Sequence, residues 1–384
     1  MKILQVVPYF YPAWSYGGPA KLVYDLSNEI VKNKHKITVY TSDCFDKEQR
    51  MPAAKKIKKT KNLKIHYFAN LSNYLAFNYH MFFTPKLFVR AVGEIKSFDI
   101  LHLHDFFTLQ HVWICFLAKI YKKPYIISVH GTLEKMDLAK KIFYFLFGKL
   151  MLSGAKKLIA SSDNEENTLK KLGFNSEKIL RIGNGVDPQE FETKMSKMQA
   201  RTKLSLPKDK IIFTFLGRIS QLKGIDILIE AIKRIKIANV FFVIAGSDSG
   251  YIDELKYQIK KYNLSKKVLL KGVCFGKEKS LLFKASDVFI YPSYLEGFSI
   301  GILEAASVGL PLIISNKCNF NELATHNAAL IVTPKSKNLG VAINKLAKNE
   351  SLRKSLGKNV KKIVANKYSI EGITKQLLES YSDS

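Results

Sequence analysis

Short apolar runs that end in glycine or a small polar residue, each followed by a helical apolar stripe, begin twice along this chain. In the first half, residues 2–8 and 36–41 flank a helical stretch from Ala20 to Val31 with Leu22, Val23, Leu26 and Ile30 on one face. In the second half, Ile211–Leu216 leads through Gly217-Arg218 and Lys223-Gly224 into a stripe containing Ile227, Leu228 and Ala231. A strand, helix, strand unit forms a parallel sheet and binds ligands beyond the carboxyl ends of its strands. A pattern that restarts predicts an α/β protein of two Rossmann-like domains. The 384 residues are too many for one ordinary core, and a hydrophobic content of 47% can fill two.

Further strands are predicted at Ile100–Asp105, Tyr125–Val129, Lys157–Ser162, Ile179–Ile182, Val240–Ala245, Val268–Val273, Val288–Pro292 and Leu312–Ser315. The Asn184-Gly185-Val186-Asp187 turn precedes a polar stretch, 188–206, that reads as a linker. Met1–Pro8 reads as a first strand and not as a secretory signal. No stretch of about 18 uninterrupted apolar residues is present, so no segment is expected to span a bilayer.

The stretch Glu296–Glu304 reads as strand end, tight turn and helix start. Gly297 and Gly301 allow backbone to approach a ligand, and the free N–H groups of a first helical turn favour an anion such as a diphosphate. Glu304 can accept hydrogen bonds from the hydroxyls of a ribose or sugar. Arg218 and Lys223, five apart across a loop, suit a phosphate clamp. His130 stands at a strand end before glycine, a position that faces a site and not a core. His102-Leu103-His104 puts two imidazoles on one strand face, but neither zinc-type spacing nor a D-x-D pair accompanies them, so no metal ligands are assigned. His104 and Asp105 read either as acceptor contacts or as structural residues.

Glu296 and Glu304, taken with Gly17-Gly18, His130-Gly131, Asn184–Asp187, Gly217-Arg218 and Lys223-Gly224 in that order, resemble the pattern of the retaining glycosyltransferases of family 4. The resemblance implies the GT-B architecture, two Rossmann-like domains facing an interdomain cleft. Residues 1–188 would form the acceptor side, with 367–384 crossing back onto it, and 189–366 the donor side. It implies metal-independent, retaining transfer of a hexosyl or N-acetylhexosaminyl group from a UDP- or GDP-sugar, with no cofactor. The acceptor would be a glycan or lipid-linked saccharide of cell-surface polysaccharide or glycoconjugate synthesis. His130, Glu296, Arg218 and Lys223 then take catalytic roles. Gly17, Gly18, Gly217, Gly297, Phe298, Ser299, Ile300, Gly301 and Glu304 bind the donor, with the loop at Val273 meeting the base through backbone. His104 and Asp105 lie on the acceptor side. Lys21 departs from the arginine common in the family near that position, and loses its bidentate fork.

The net charge of +29 invites a nucleic-acid reading. The excess is shared by both halves, and lysine far outnumbers arginine, so base readout is disfavoured. An anionic membrane surface, or a lysine-rich source composition, accounts better for it. Candidate membrane segments are the lysine cluster Lys55–Lys64, the aromatic stretch Leu75–Val92, and the basic, aromatic helix Lys140–Met151. Four scattered cysteines suit a reducing cytoplasm. The expected location is cytoplasmic, peripheral on the inner face of the membrane. An oxidoreductase lacks its G-x-G-x-x-G turn, while a GT-B nucleotide-sugar epimerase and a basic nucleic-acid-binding protein stay as alternatives.

Overall fold

The computed structural model describes residues 1–57, 60–134, 136–320 and 322–383. Lys58 and Lys59 of the lysine cluster lie outside them. The chain divides into two compact units, Met1–Gly185 with Ile370–Ser384, and Val186–Ser369.

The first unit carries β1 (Lys2–Val6), β2 (Lys36–Ser42), β3 (Leu63–Phe68), β4 (Ile100–His104), β5 (Tyr125–Ser128), β6 (Lys157–Ala160) and β7 (Ile179–Arg181). They form one seven-stranded sheet in the order β3-β2-β1-β4-β5-β6-β7. Every pairing is parallel, as between Leu103 of β4 and Ile127 of β5. The order reverses between β1 and β4, so loops leaving their carboxyl ends part and open a binding position there. The helix Ile370–Ser382 packs against Gly18–Lys32 in this unit.

The second unit carries β8 (Ile211–Leu216), β9 (Val240–Ala245), β10 (Val268–Lys271), β11 (Val288–Tyr291), β12 (Leu312–Ser315) and β13 (Ala329–Val332). Their order is β10-β9-β8-β11-β12-β13, again parallel, with the reversal between β8 and β11. Strands β11 and β12 are buried at every residue, which is why they read as continuous apolar runs.

Several expectations change. The edge strands β3 and β13 were not expected, and Lys64, placed in a solvated loop, belongs to β3. Strand β10 stops at Lys271, leaving Gly272 and Val273 in a loop. Residues 188–206 are not a linker. They belong to the second unit, where the helix Lys197–Lys203 begins with a capping box between Ser196 and Gln199. Its Arg201 is buried, donating to the carbonyls of Ala285, Lys208 and Lys210 and pairing with Asp287 at 2.5 Å. The aromatic stretch 75–92 falls into two helices, Asn73–Tyr79 and Pro85–Glu94, separated by left-handed His80. The segment 138–154 is helical throughout, with a π turn at Tyr144–Gly148. Among the described residues no helix is long and apolar enough to cross a membrane.

Candidate active site

The sequence-predicted donor residues of the second unit gather at the carboxyl ends of β8 and β11. Two glycines make that assembly possible. A Cβ on Gly224, at φ +68°, would stand 2.1 Å from the Pro292 carbonyl oxygen, and one on Gly246, at φ +151°, 1.7 Å from that of Gly217. Only glycine lets these loops close on one another. The Phe215 and Tyr291 rings stack 5.2 Å apart behind them.

Lys223 forms an ion pair with Glu296 within this assembly, so two candidate catalytic groups neutralise each other. Both side chains are about nine-tenths buried, at 12% and 11% exposure. The Lys223 ammonium also lies 5.8 Å from the centre of the Tyr291 ring. Arg218 is exposed, and among the described residues no ion pair engages it. The loop after Glu296 is held by Asn319, whose amide donates to the carbonyls of Glu296 and Gly297, the latter at 2.8 Å. Phe298 is buried against Phe320, ring centres 4.2 Å apart. The helix Ile300–Ser307 follows, and its N-cap residue Ser299 makes no side-chain cap. First-turn N–H groups around Ile300 and Gly301 are therefore without a side-chain acceptor from the cap, as an anion seat requires.

Glu304, one turn further in, is buried and receives Lys279 on both carboxylate oxygens, at 2.8 and 2.9 Å. Lys279 comes from the helix Gly276–Ala285, which follows the exposed loop holding Val273. Sequence reasoning missed Lys279 and Asn319. Nothing in the spacing marks Lys279; Asn319, at φ 58°, sits where asparagine is favoured, a signal too local to reveal its contacts.

In the first unit, Gly17 precedes and Gly18 begins the helix Gly18–Lys32. Lys21 is buried and paired with Asp25, so its charge is committed within the protein. Just beyond β4 and β5 stand left-handed non-glycine residues, Asp105 at φ 81° and His130 at φ 47°. Such strain on adjacent strands marks a site that the surroundings hold in place. The Asp105 carboxylate accepts from the Phe106 N–H at 2.7 Å. His104 is wholly buried, which removes its ring from direct contact with an acceptor in this structure and corrects that expectation. Its Nδ1 lies 3.2 Å from Nε2 of His130, and the two rings stack 5.5 Å apart. The His102 ring lies 3.9 Å from that of His104 and meets Tyr381 Oη at 2.6 Å and Ser128 Oγ at 2.8 Å. Burial pushes His130 down to about 4 and, helped by the charge of His130, His102 down to about 3. Burial likewise drives His104 well below the ordinary histidine value. All three are neutral imidazoles at pH 7, and each offers one N–H and one lone pair. Among the described residues no His, Cys, Asp and Glu group has the arrangement of a metal site.

Two parallel α/β units with their sites at the switch points define a GT-B protein. Residues 16–190 match the family model for Glycosyltransferase Family 4, and residues 196–363 that for Glycosyl transferases group 1. The chain belongs to this family of glycosyltransferases. It is 31% identical to the UDP-Gal:alpha-D-GlcNAc-diphosphoundecaprenol alpha-1,3-galactosyltransferase of Escherichia coli, over 64% of this chain and 68% of that protein. It is 26% identical to an uncharacterized glycosyltransferase of Methanocaldococcus jannaschii, over 99% of this chain and 98% of that protein. Among solved structures it resembles Anabaena HepE in complex with UDP and glucose, with a TM-score of 0.82, 20% identity and 100% of both chains covered.

Proposed function

We propose that this glycosyltransferase moves a hexosyl or N-acetylhexosaminyl group, with retention, from a UDP- or GDP-sugar to a glycan or lipid-linked saccharide in cell-surface polysaccharide or glycoconjugate synthesis. The observation that carries the reading is the convergence, at one sheet edge, of Arg218, the Lys223–Glu296 pair and the uncapped start of the helix Ile300–Ser307. The bond from C1 of the sugar to the diphosphate breaks through an oxocarbenium-like state, and negative charge grows on the leaving phosphate. Arg218, Lys223 and the N–H groups at Ser299–Gly301 stabilise that charge. These are protein groups, so the proposed step calls on no metal.

Glu296 orients sugar hydroxyls and keeps Lys223 in place; Glu304 accepts from the ribose. Gly217, Gly297 and Phe298 shape the donor seat, and backbone near Val273 meets the base. In the first unit, neutral His130 hydrogen-bonds at the transferred group, while Gly17 and Gly18 let backbone approach the donor and Asp105 lies on the acceptor side. The name of the E. coli relative, which acts on a diphosphoundecaprenol-linked sugar, supports a lipid-linked acceptor.

Peripheral attachment to the cytoplasmic side of an anionic membrane belongs to the same reading. It is supported by Leu138, Ile142, Phe145, Leu146 and Leu150, all more than half exposed, on a helical segment that also carries Lys140, Lys141 and Lys149. The test is incubation with UDP- and GDP-sugars, with and without lipid-linked saccharide. Nucleoside diphosphate released only with acceptor supports transfer; an isomerised donor sugar without acceptor indicates an epimerase instead.

A further inference from the structure

Below the carboxyl ends of β4 and β5 lies a cavity of about 20 Å³, lined by His102, His104, Ser128, His130, Ser161 and Glu165 among others. That is room for one water molecule. Two of the lining side chains, His104 and Glu165, are 0% and 1% exposed. Among the described residues, neither His104 Nε2 nor Glu165 Oε1 has a hydrogen-bond partner. Buried polar atoms are rarely left unmatched, and a single water that donates to one and accepts from the other satisfies both. The opposite atoms of the two groups are already engaged. Glu165 Oε2 accepts from the Ser161 N–H at 2.7 Å, and His104 Nδ1 meets His130 Nε2 at 3.2 Å.

We propose that Glu165, through one water in this cavity and through His104, sets which nitrogen of His130 carries the proton. The inference rests on the role given to His130 above. Because Oε2 is the acceptor for Ser161, the proton of the uncharged acid sits on Oε1 and is donated to the water. The water donates to His104 Nε2. His104 then holds its proton on Nδ1 and donates it to His130 Nε2, which leaves His130 with its proton on Nδ1, the nitrogen that His104 does not use. His130 thereby presents an N–H, suited to an oxygen of the transferred sugar or leaving phosphate. Burial raises the Glu165 carboxyl above its ordinary value, in the direction of the acid form, against the lowering effect of the Ser161 and Gly131 hydrogen bonds and of Arg181. Glu165 and His104 act as positioning residues.

The chain has eight histidines, few enough to assign in a protein labelled with ¹⁵N-histidine. The wild-type chain should show His130 at pH 7 as the Nδ1–H tautomer. Glu165→Gln, whose amide keeps an acceptor for Ser161 and a donor for the water, should preserve that pattern. Glu165→Leu should lose it, and should lower kcat by at least about tenfold with donor KM unchanged, the split expected of a misdirected imidazole. A wild-type His130 in the Nε2–H form overturns the relay, as does a Leu variant with the wild-type His130 signals or a Gln variant with those of Leu. If the Leu variant does not fold, a wild-type His130 in the Nε2–H form or a Gln variant that loses the wild-type pattern still overturns the relay. The spectra do not depend on turnover, so failure of the transferase reading registers separately, as absence of activity with every donor.

Discussion

Lys279 reaches both carboxylate oxygens of Glu304, at 2.8 and 2.9 Å, and joins two helices that flank the proposed donor seat. The side chains are only 11% and 8% exposed, and the carboxylate oxygens retain lone pairs for a ribose. Glu304→Gln should raise donor KM with little change in kcat, since the contact is remote from the breaking bond. Lys279→Met should do the same and also destabilise the fold by about 3–5 kcal/mol, because it strands a buried carboxylate. Steady-state kinetics and denaturant titration followed by circular dichroism read both effects. A fall in kcat with unchanged donor KM in the Gln variant would contradict the ribose assignment.

Arg218 and Lys223 should separate in a way that spacing alone does not predict. Arg218 is exposed, so Arg218→Ala should fold normally and raise the barrier by roughly 2–4 kcal/mol, the loss expected of one charge-stabilising donor. Lys223→Ala should lose comparable activity and stability as well, because Glu296 loses its buried partner. Glu296→Gln should depress turnover even at saturating donor. An active Arg218→Ala variant would remove the phosphate assignment.

The buried imidazoles make the first unit acid-sensitive. Burial pushes His102 down to about 3 and His111 down to about 4 from an ordinary 6.5, so the folded rings stay neutral where unfolded ones take up protons. The unfolded state binds more protons below about pH 6.5, and stability therefore falls as pH falls through that value toward the folded ones. By pH 4 each of these two histidines should account for roughly 3 kcal/mol of loss. Both tryptophans, Trp14 and Trp113, lie in the first unit, so tryptophan fluorescence in urea titrations of the full chain between pH 7.5 and 4.5 follows it selectively. A midpoint that does not move over this range would contradict the prediction.

Vesicles test the membrane reading. Flotation should capture the protein with anionic but not zwitterionic lipid at low salt, and a Phe145→Glu, Leu150→Glu double variant should be captured far less. These residues are 84% and 74% exposed, so the change should leave folding intact. Each nearby lysine adds about 1 kcal/mol of attraction to an anionic surface, screened by salt. Wild-type protein that stays with the unbound fraction at low salt would count against attachment.

How far the sequence carried these assignments follows from what burial does to composition. β8, β9 and β12 were legible to the residue because strands covered on both faces must be continuously apolar. β3 and β13 lie at sheet edges; in β3 Lys64 and His66 interrupt the apolar run, whereas β13 is a continuous but short one, Ala329–Val332. Arg201 lay within the stretch 188–206 read as a linker and is instead a buried organiser, since only the fold brings Asp287 and three carbonyls to its guanidinium. Lys279 and Glu304 are linked by tertiary packing alone. His104 was legible as chemistry but not as a buried neighbour of His130, because strand alternation fixes a face and not its depth.

The central claim is that a nucleotide-diphosphate sugar sits against Arg218 at the carboxyl edge of the second sheet. Thermal unfolding of the wild type and of Arg218→Ala, each with a panel of UDP- and GDP-sugars, tests it directly, because a ligand that binds the native state raises its melting temperature. The account predicts that at least one donor stabilises the wild type, by about 2.7 kcal/mol at a hundred times its Kd, and stabilises the variant markedly less. No shift with any donor, or equal shifts in both proteins, would contradict it.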